Sequence, residues 1–148
     1  MASNLDSHLG YWLRMVSNSV TGTFACKLKA HDINIAEWVI LQHLYEAGAG
    51  VPNEIAMRMN MTRGGVSKLV DKLTSRQLLQ RTIDKDDRRY QSLILSAKGR
   101  ALVPKLAALA DKNDAEFFGH LKANERMALQ NTLKTIASRR NLTSAPIG

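Results

Sequence analysis

Leu5, Leu9, Trp12, Leu13, Val16, Val20, Phe24 and Leu28 recur along the first part of the chain at spacings of three and four. That is the apolar stripe of an amphipathic helix over roughly residues 5–29. A helix so long at the N-terminus exceeds what a small unit needs and predicts packing against something outside its own domain, most simply a second copy of the chain. Polar His31, Asp32 and Asn34 break the pattern, and a second stripe runs through Ile35, Val39, Ile40 and Leu44 to a stop at Gly48-Ala49-Gly50.

Pro52 opens a short helix, where its missing N–H costs little, with Ile55, Ala56 and Met59 as the buried side. Asn60-Met61-Thr62 makes a turn, and the Thr62 hydroxyl is placed to cap the next helix. In that helix Val66, Leu69, Val70 and Leu73 fall at i, i+3, i+4 and i+7, a single buried face. The opposite face is centred on Gly64, Ser67, Lys68, Asp71 and Ser75, with Arg63 and Lys72 at its edges. The period then shifts towards two over residues 79–83 and 90–95, which predicts two strands around the charged tip Asp84-Lys85-Asp86-Asp87-Arg88-Arg89. Ser96 reads as the cap of a long helix marked by Leu102, Leu106, Leu109 and Phe117, which Pro104 should bend. A last helix over about 124–140 carries Leu129, Leu133 and Ile136 on one side, and residues 141–148 have little to bury and are expected to fray.

This order predicts a mainly α fold with a small β-wing: a winged helix-turn-helix flanked by long N- and C-terminal helices. The expected divisions are an N-terminal helix over 1–34 that packs on a second copy, a DNA-binding lobe over 35–98, C-terminal helices over 99–140 and a disordered tail over 141–148.

Charge sharpens the picture. The 148-residue chain carries a formal +8, which suits an anionic partner. Between Arg58 and Arg89 nine basic side chains face four acidic ones, so +5 of that +8 sits on the suspected motif. The single cysteine, Cys26, allows no internal disulfide. No signal peptide or apolar run of membrane-spanning length is visible, and the expected location is cytoplasmic, with no membrane partner.

Enzymatic signatures are missing from the sequence: there is no G-x-S-x-G, P-loop, H-E-x-x-H or C-x-x-C pattern. His8, His31, His43 and His120 lie scattered without ligand spacing. We therefore expect no enzyme, no metal and no cofactor.

The exposed face of the second motif helix suits the major groove of duplex DNA. Arg63 can read guanine bidentately, Gly64 lets backbone approach closely, and Ser67 and Lys68 share that surface, while Thr62 and Lys72 reach phosphates. Lys85, Arg88 and Arg89 at the hairpin tip suit a minor groove, with Asp87 orienting a neighbouring arginine. The bland alternative is a solvated cationic helix and hairpin. The two features standing in tandem argue against it.

Asn53-Glu-Ile-Ala-Met-Arg-Met-Asn-Met-Thr-Arg-Gly-Gly-Val-Ser-Lys-Leu-Val-Asp-Lys-Leu73, the Asp84-Lys-Asp-Asp-Arg-Arg89 tip and Leu95-Ser-Ala-Lys-Gly-Arg-Ala-Leu102 together resemble the MarR family of multiple-antibiotic-resistance regulators, over about residues 5–140. The resemblance implies a homodimer of intertwined terminal helices with two winged lobes on a palindromic operator. It also implies a repressor relieved by a small phenolic or anionic effector bound between the dimer helices and the lobe. Three departures stand out. Gln77 occupies a position where the family usually has glycine, Lys122 stands where a Ser or Thr cap often begins the last helix, and the region around Gly10 lacks the peroxide-sensing cysteine of one branch. Cys26 lies several turns later and is expected to be a packed small hydrophobe.

For the effector crevice, Trp12 and Trp38 are candidate aromatic walls and His8 and Arg14 candidate anion partners, against the simpler reading of both tryptophans as core. Two other functions fit the same residues: a winged-helix module for protein or RNA, and a thiol-based redox sensor acting through Cys26.

Overall fold

The computed structural model describes residues 1–83 and 91–148, with Ile83 and Gln91 described by backbone alone. Six helices and a two-stranded antiparallel sheet follow the predicted order. They are α1 (Leu9–Lys29), α2 (Ile35–Ala47), α3 (Pro52–Arg58), α4 (Arg63–Ser75), β1 (Leu79–Ile83), β2 (Gln91–Leu95), α5 (Ala97–Phe118) and α6 (Ala123–Arg139). The fold is a winged helix-turn-helix between long terminal helices, as the hydrophobic pattern predicts.

The first stripe does not form one continuous helix. Residues Leu5–Ser7 make a single 3-10 turn, and His8 is extended at φ −95°, ψ 126° before α1 begins. Ser7 Oγ donates to Asn4 O at 2.6 Å and Trp12 Nε1 donates to Asp6 O at 2.8 Å. These bonds hold the Asp6-Ser7 segment in a turn that competes with the helix.

The core joins α2 (Ile40, Leu41, Leu44), α3 (Ile55, Ala56), α4 (Val66, Val70, Leu73), the strands (Leu79, Leu93, Leu95) and α5 (Val103, Leu106), with Leu28 and Ile33 closing it from the first turn region. α2 starts at an Asn34 capping box: Asn34 Oδ1 accepts from Glu37 N at 2.8 Å and Glu37 Oε1 accepts from Asn34 N at 2.9 Å. β1 pairs with β2 in the register Leu79↔Leu95, Arg81↔Leu93. β2 has a second neighbour that the sequence did not signal. Gly50 exchanges both backbone hydrogen bonds with Leu93, at 3.0 and 2.7 Å. A side chain at Gly50 would place its Cβ 2.8 Å from Leu44 Cδ2, so glycine permits this close pairing.

α1 and α5 are held by a polar clasp at Asn113, which is 3% exposed. Its Oδ1 accepts from Thr23 Oγ1 at 2.8 Å and Lys27 Nζ at 2.9 Å, and its Nδ2 donates to Val20 O at 3.1 Å. Lys27 also reaches Glu116 at 2.8 Å. That hydrogen bond, aided by the charges of Lys27 and Lys112, lowers the Glu116 carboxyl pKa against the opposing effect of desolvation. Pro104 lies inside α5, which continues through it to Phe118. The carbonyl it leaves without an N–H partner belongs to exposed Arg100, where water can replace the lost bond.

Two contacts join the C-terminal residues to the lobe. Ala145 N donates to Arg58 O at 2.9 Å, and Ile147 packs against the core. Ile147 thus covers apolar surface, whereas Leu142 stays exposed. Cys26 departs from expectation: it is exposed on α1 of the single chain.

Gln77, in the usual glycine position, adopts φ +62°. Gln77 N donates to Thr74 O at 2.9 Å and Leu78 N to Leu73 O at 3.0 Å, so α4 ends in a Schellman motif despite the side chain. Gln77→Gly is therefore expected to stabilise the fold by about 1 kcal/mol, since glycine relieves the left-handed strain. Chemical denaturation measures it, and an unchanged or lowered stability would show that the side chain contributes more than the strain it costs.

Candidate nucleic-acid interface

α3 and α4 meet through a turn that backbone hydrogen bonds define. Asn60 takes φ +50°, Met61 N donates to Ala56 O at 2.9 Å, and Met59 is buried beneath the turn. Thr62 then caps α4, its Oγ1 accepting from Gly65 N at 3.0 Å. Capping uses a lone pair, so the hydroxyl hydrogen remains able to donate to a phosphate oxygen.

α4 buries Val66, Val70 and Leu73, with Leu69 half-buried, in agreement with the predicted face. Thr62, Arg63, Gly64, Ser67, Lys68 and Lys72 are all exposed. The structure brings these six candidates onto one continuous helical surface, with Arg63 in the first turn beside the positive helix end. Lys85, Arg88 and Arg89, together with the suggested role of Asp87, fall outside the described residues.

Two acid–base pairs engage this helix. On one edge Lys72 Nζ lies 3.5 Å from Oε1 of buried Glu37, which leaves the lysine about half exposed and drawn towards α2. On the exposed face itself, the Arg81 guanidinium pairs with Asp71. Arg81 was not singled out among the candidates, yet it lines a small depression with Pro52, Arg63, Ser67 and Val70. The signal was present in the alternation of β1: Arg81 shares a strand face with buried Leu79, which directs it to α4.

The candidate crevice residues are not gathered in the same way. Trp38 is half-buried and packs edge-to-face on Phe24, with ring centroids 6.2 Å apart. Trp12 stays half exposed against Tyr11, His8 Nε2 lies 3.2 Å from Ser3 Oγ, and Arg14 is exposed. The cavities at α1–α2–α4, α5–α6, α3 and β1–α4 are lined by none of them. Among the described residues no cluster of three or more His, Cys, Asp or Glu side chains is placed to hold a metal, and no helix is long and apolar enough to cross a membrane.

A capped recognition helix with a cationic outer face, followed by an antiparallel wing, defines a winged helix-turn-helix of the DNA-binding transcriptional regulators. Residues 33–90 match the sequence profile of the MarR family. Over that stretch the chain is similar to MarR-family transcriptional regulators. It is 24% identical over 136 residues to the HTH-type transcriptional regulator SarZ of Staphylococcus haemolyticus, covering 92% of this chain and 91% of that one. CouR from Rhodococcus jostii bound to p-coumaroyl-CoA superposes with a TM-score of 0.78 at 26% identity, covering 92% of this chain and 96% of CouR. A mutant MarR from E. coli complexed with operator DNA shares the fold, with a TM-score of 0.75 at 23% identity over 86% of this chain and 92% of that one.

Removing the cap tests the local geometry on which this surface rests. Thr62→Ala is expected to cost about 1 kcal/mol of stability, against much less for Thr62→Ser. Equal losses in the two variants, measured by urea denaturation, would contradict a capping hydroxyl.

Proposed function

We propose that the chain acts as a homodimer that reads a palindromic duplex operator and represses transcription until a small effector releases it. The observation that carries this reading is the exposed cationic face of α4, where Arg63, Ser67 and Lys68 stand together on a capped helix. In this reading Arg63 contacts a base edge, Ser67 and Lys68 support it from the same face, and Gly64 allows close approach. Thr62, Lys72 and Arg81 hold phosphates, and Lys85, Arg88 and Arg89 of the wing enter the flanking minor groove.

Dimerisation is supported by apolar surface that the single chain leaves open. α6 buries none of its residues, and Leu133 and Ile136 are 43% and 46% exposed. α1 leaves Leu9, Leu13, Met15 and Val16 exposed. We assign segments 1–34 and 99–140 to the dimer interface and 35–98 to the DNA-binding lobe. The two recognition helices would then stand about 34 Å apart, one turn of the duplex. The small-molecule effector is supported by CouR, bound to p-coumaroyl-CoA, and the site of action is the cytoplasm, where the DNA is.

Binding to duplexes drawn from the protein's own upstream region should fall steeply with salt. Arg63→Ala is expected to lose about 1–3 kcal/mol and relax preference at one base position, while Arg88→Ala weakens all sequences alike and flattens the salt slope by about one ion. A duplex affinity insensitive to salt, or unmoved by either change, would favour the protein- or RNA-binding alternative. Leu133→Asp is expected to shift the protein from dimer to monomer in sedimentation equilibrium. A dimer that survives it would place the interface elsewhere.

A further inference from the structure

The edge of α4 that turns towards α2 carries two cations one helical turn apart, Lys72 and Arg76. Arg76 is committed to backbone carbonyls, donating to Asp32 O at 2.5 Å and His31 O at 3.0 Å. Lys72 faces a carboxylate instead. Its Nζ stands 3.5 Å from Oε1 of Glu37, a residue with no exposed surface, while half of the lysine side chain remains open to solvent.

The two partners are unequally held. Glu37 sits inside the capping box of α2: its N–H donates to Asn34 Oδ1 at 2.8 Å, and its Oε1 accepts from Asn34 N at 2.9 Å. Its other oxygen, Oε2, is buried without a hydrogen-bond partner among the described residues. The carboxylate therefore depends on Lys72 for its counter-charge. Lys72 carries its charge on a flexible four-carbon stem. A phosphate at this edge of the groove draws the lysine outward, but the carboxylate cannot follow. Each step the lysine takes leaves a buried charge less well compensated, which opposes the movement. Exposed Lys68, one turn earlier on α4, has no carboxylate partner among the described residues and meets no such opposition.

We propose that Glu37 is a positioning residue for DNA binding: from inside the lobe, without touching the duplex, it holds the Lys72 ammonium back and weakens the phosphate contact that Lys72 makes. This role rests on the reading of α4 as the DNA-binding helix. Phosphate contacts add affinity for every sequence alike. Arg63, about two and a half turns away at the other end of the helix, lies outside the pair. Glu37 thus lowers the sequence-independent part of the affinity and leaves base reading as it is.

Salt titrations of duplex affinity test it, with the full chain on a duplex from its own upstream region and on one of scrambled sequence. Glu37→Gln keeps the side-chain volume and the capping oxygen and removes the charge that restrains Lys72. It is expected to tighten binding several-fold, by the same factor on both duplexes, and to steepen the salt slope by about one ion. Lys72→Met should flatten the slope by about one ion in the Glu37→Gln background. In the native chain it should flatten it by clearly less, whereas Lys68→Met still removes about one. Urea denaturation reads the pair without DNA: Lys72→Met is expected to lower the midpoint of the native chain more than that of the Glu37→Gln variant. A slope that Glu37→Gln leaves unchanged, a steepening that persists without Lys72, or equal midpoint losses in the two backgrounds overturns the role of Glu37 and leaves the reading of α4 standing. Equal flattening by Lys72→Met and Lys68→Met in the native chain, a comparison that needs no change at Glu37, does the same. Absence of salt-sensitive binding by the unaltered chain overturns the reading of α4, and this role with it.

Discussion

The C-terminal end of α4 is where the recognition helix is fixed to everything else. The Arg76 guanidinium donates to Asp32 O at 2.5 Å and His31 O at 3.0 Å, which ties the helix to the turn between α1 and α2. One residue on, Gln77 O accepts from Ser96 Oγ at 2.6 Å, and Leu78 O accepts from Ser96 N at 3.0 Å, which ties it to the start of α5. Ser96 meanwhile caps α5 through Gly99 N at 3.0 Å. A Cβ at Gly99 would lie 2.2 Å from Leu78 O, so α5 reaches this junction only with glycine there. Hydrogen bonds from a charged donor contribute about 1.5–3 kcal/mol each, enough to make these bonds define one geometry. Both long helices that leave the lobe thus take their direction from three consecutive residues of the chain.

Much of this was legible in the sequence because single-period signals dominate it. The Val66, Leu69, Val70, Leu73 spacing fixed both faces of α4, and Thr62 and Ser96 announced their helices by side-chain chemistry that acts within three residues. What escaped depended on distant partners. The Gly50–Leu93 bridge is one residue long and has no periodicity to detect. Arg81 was visible as a cation, but its position beside Arg63 and Ser67 follows from strand register, which sequence gives only when both strands are read together. The docking of Ile147 likewise depends on a surface assembled from three other helices. Gln77 is a different case: the residue conflicts with its backbone conformation, and the conflict shows that Arg76 and Ser96 hold the turn strongly enough to override local preference.

The placement of apolar surface divides the chain into parts that are complete alone and parts that are not. The lobe closes its own core, from Ile40 and Leu44 through Val66 and Leu73 to Leu93. α6 closes nothing, and most of α1 is equally open, with Leu28 its one buried residue. Such faces cost free energy in water in proportion to their area. The contrast also explains why Asn113 is polar. A clasp of Thr23, Lys27 and Asn113 sets the register of α1 on α5 by hydrogen bonds with fixed geometry, where a purely apolar contact would tolerate sliding.

Charge along α4 follows the same division of labour. Asp71 and Glu37 each engage one cation, Arg81 on one side and Lys72 on the other, and neither Arg63 nor Lys68 has a carboxylate partner among the described residues. A guanidinium already held by an acid must break that pair to bind an anion, and loses part of the gain in doing so. Arg63 meets no such cost, and it sits in the first helical turn, where the backbone dipole adds to its positive potential.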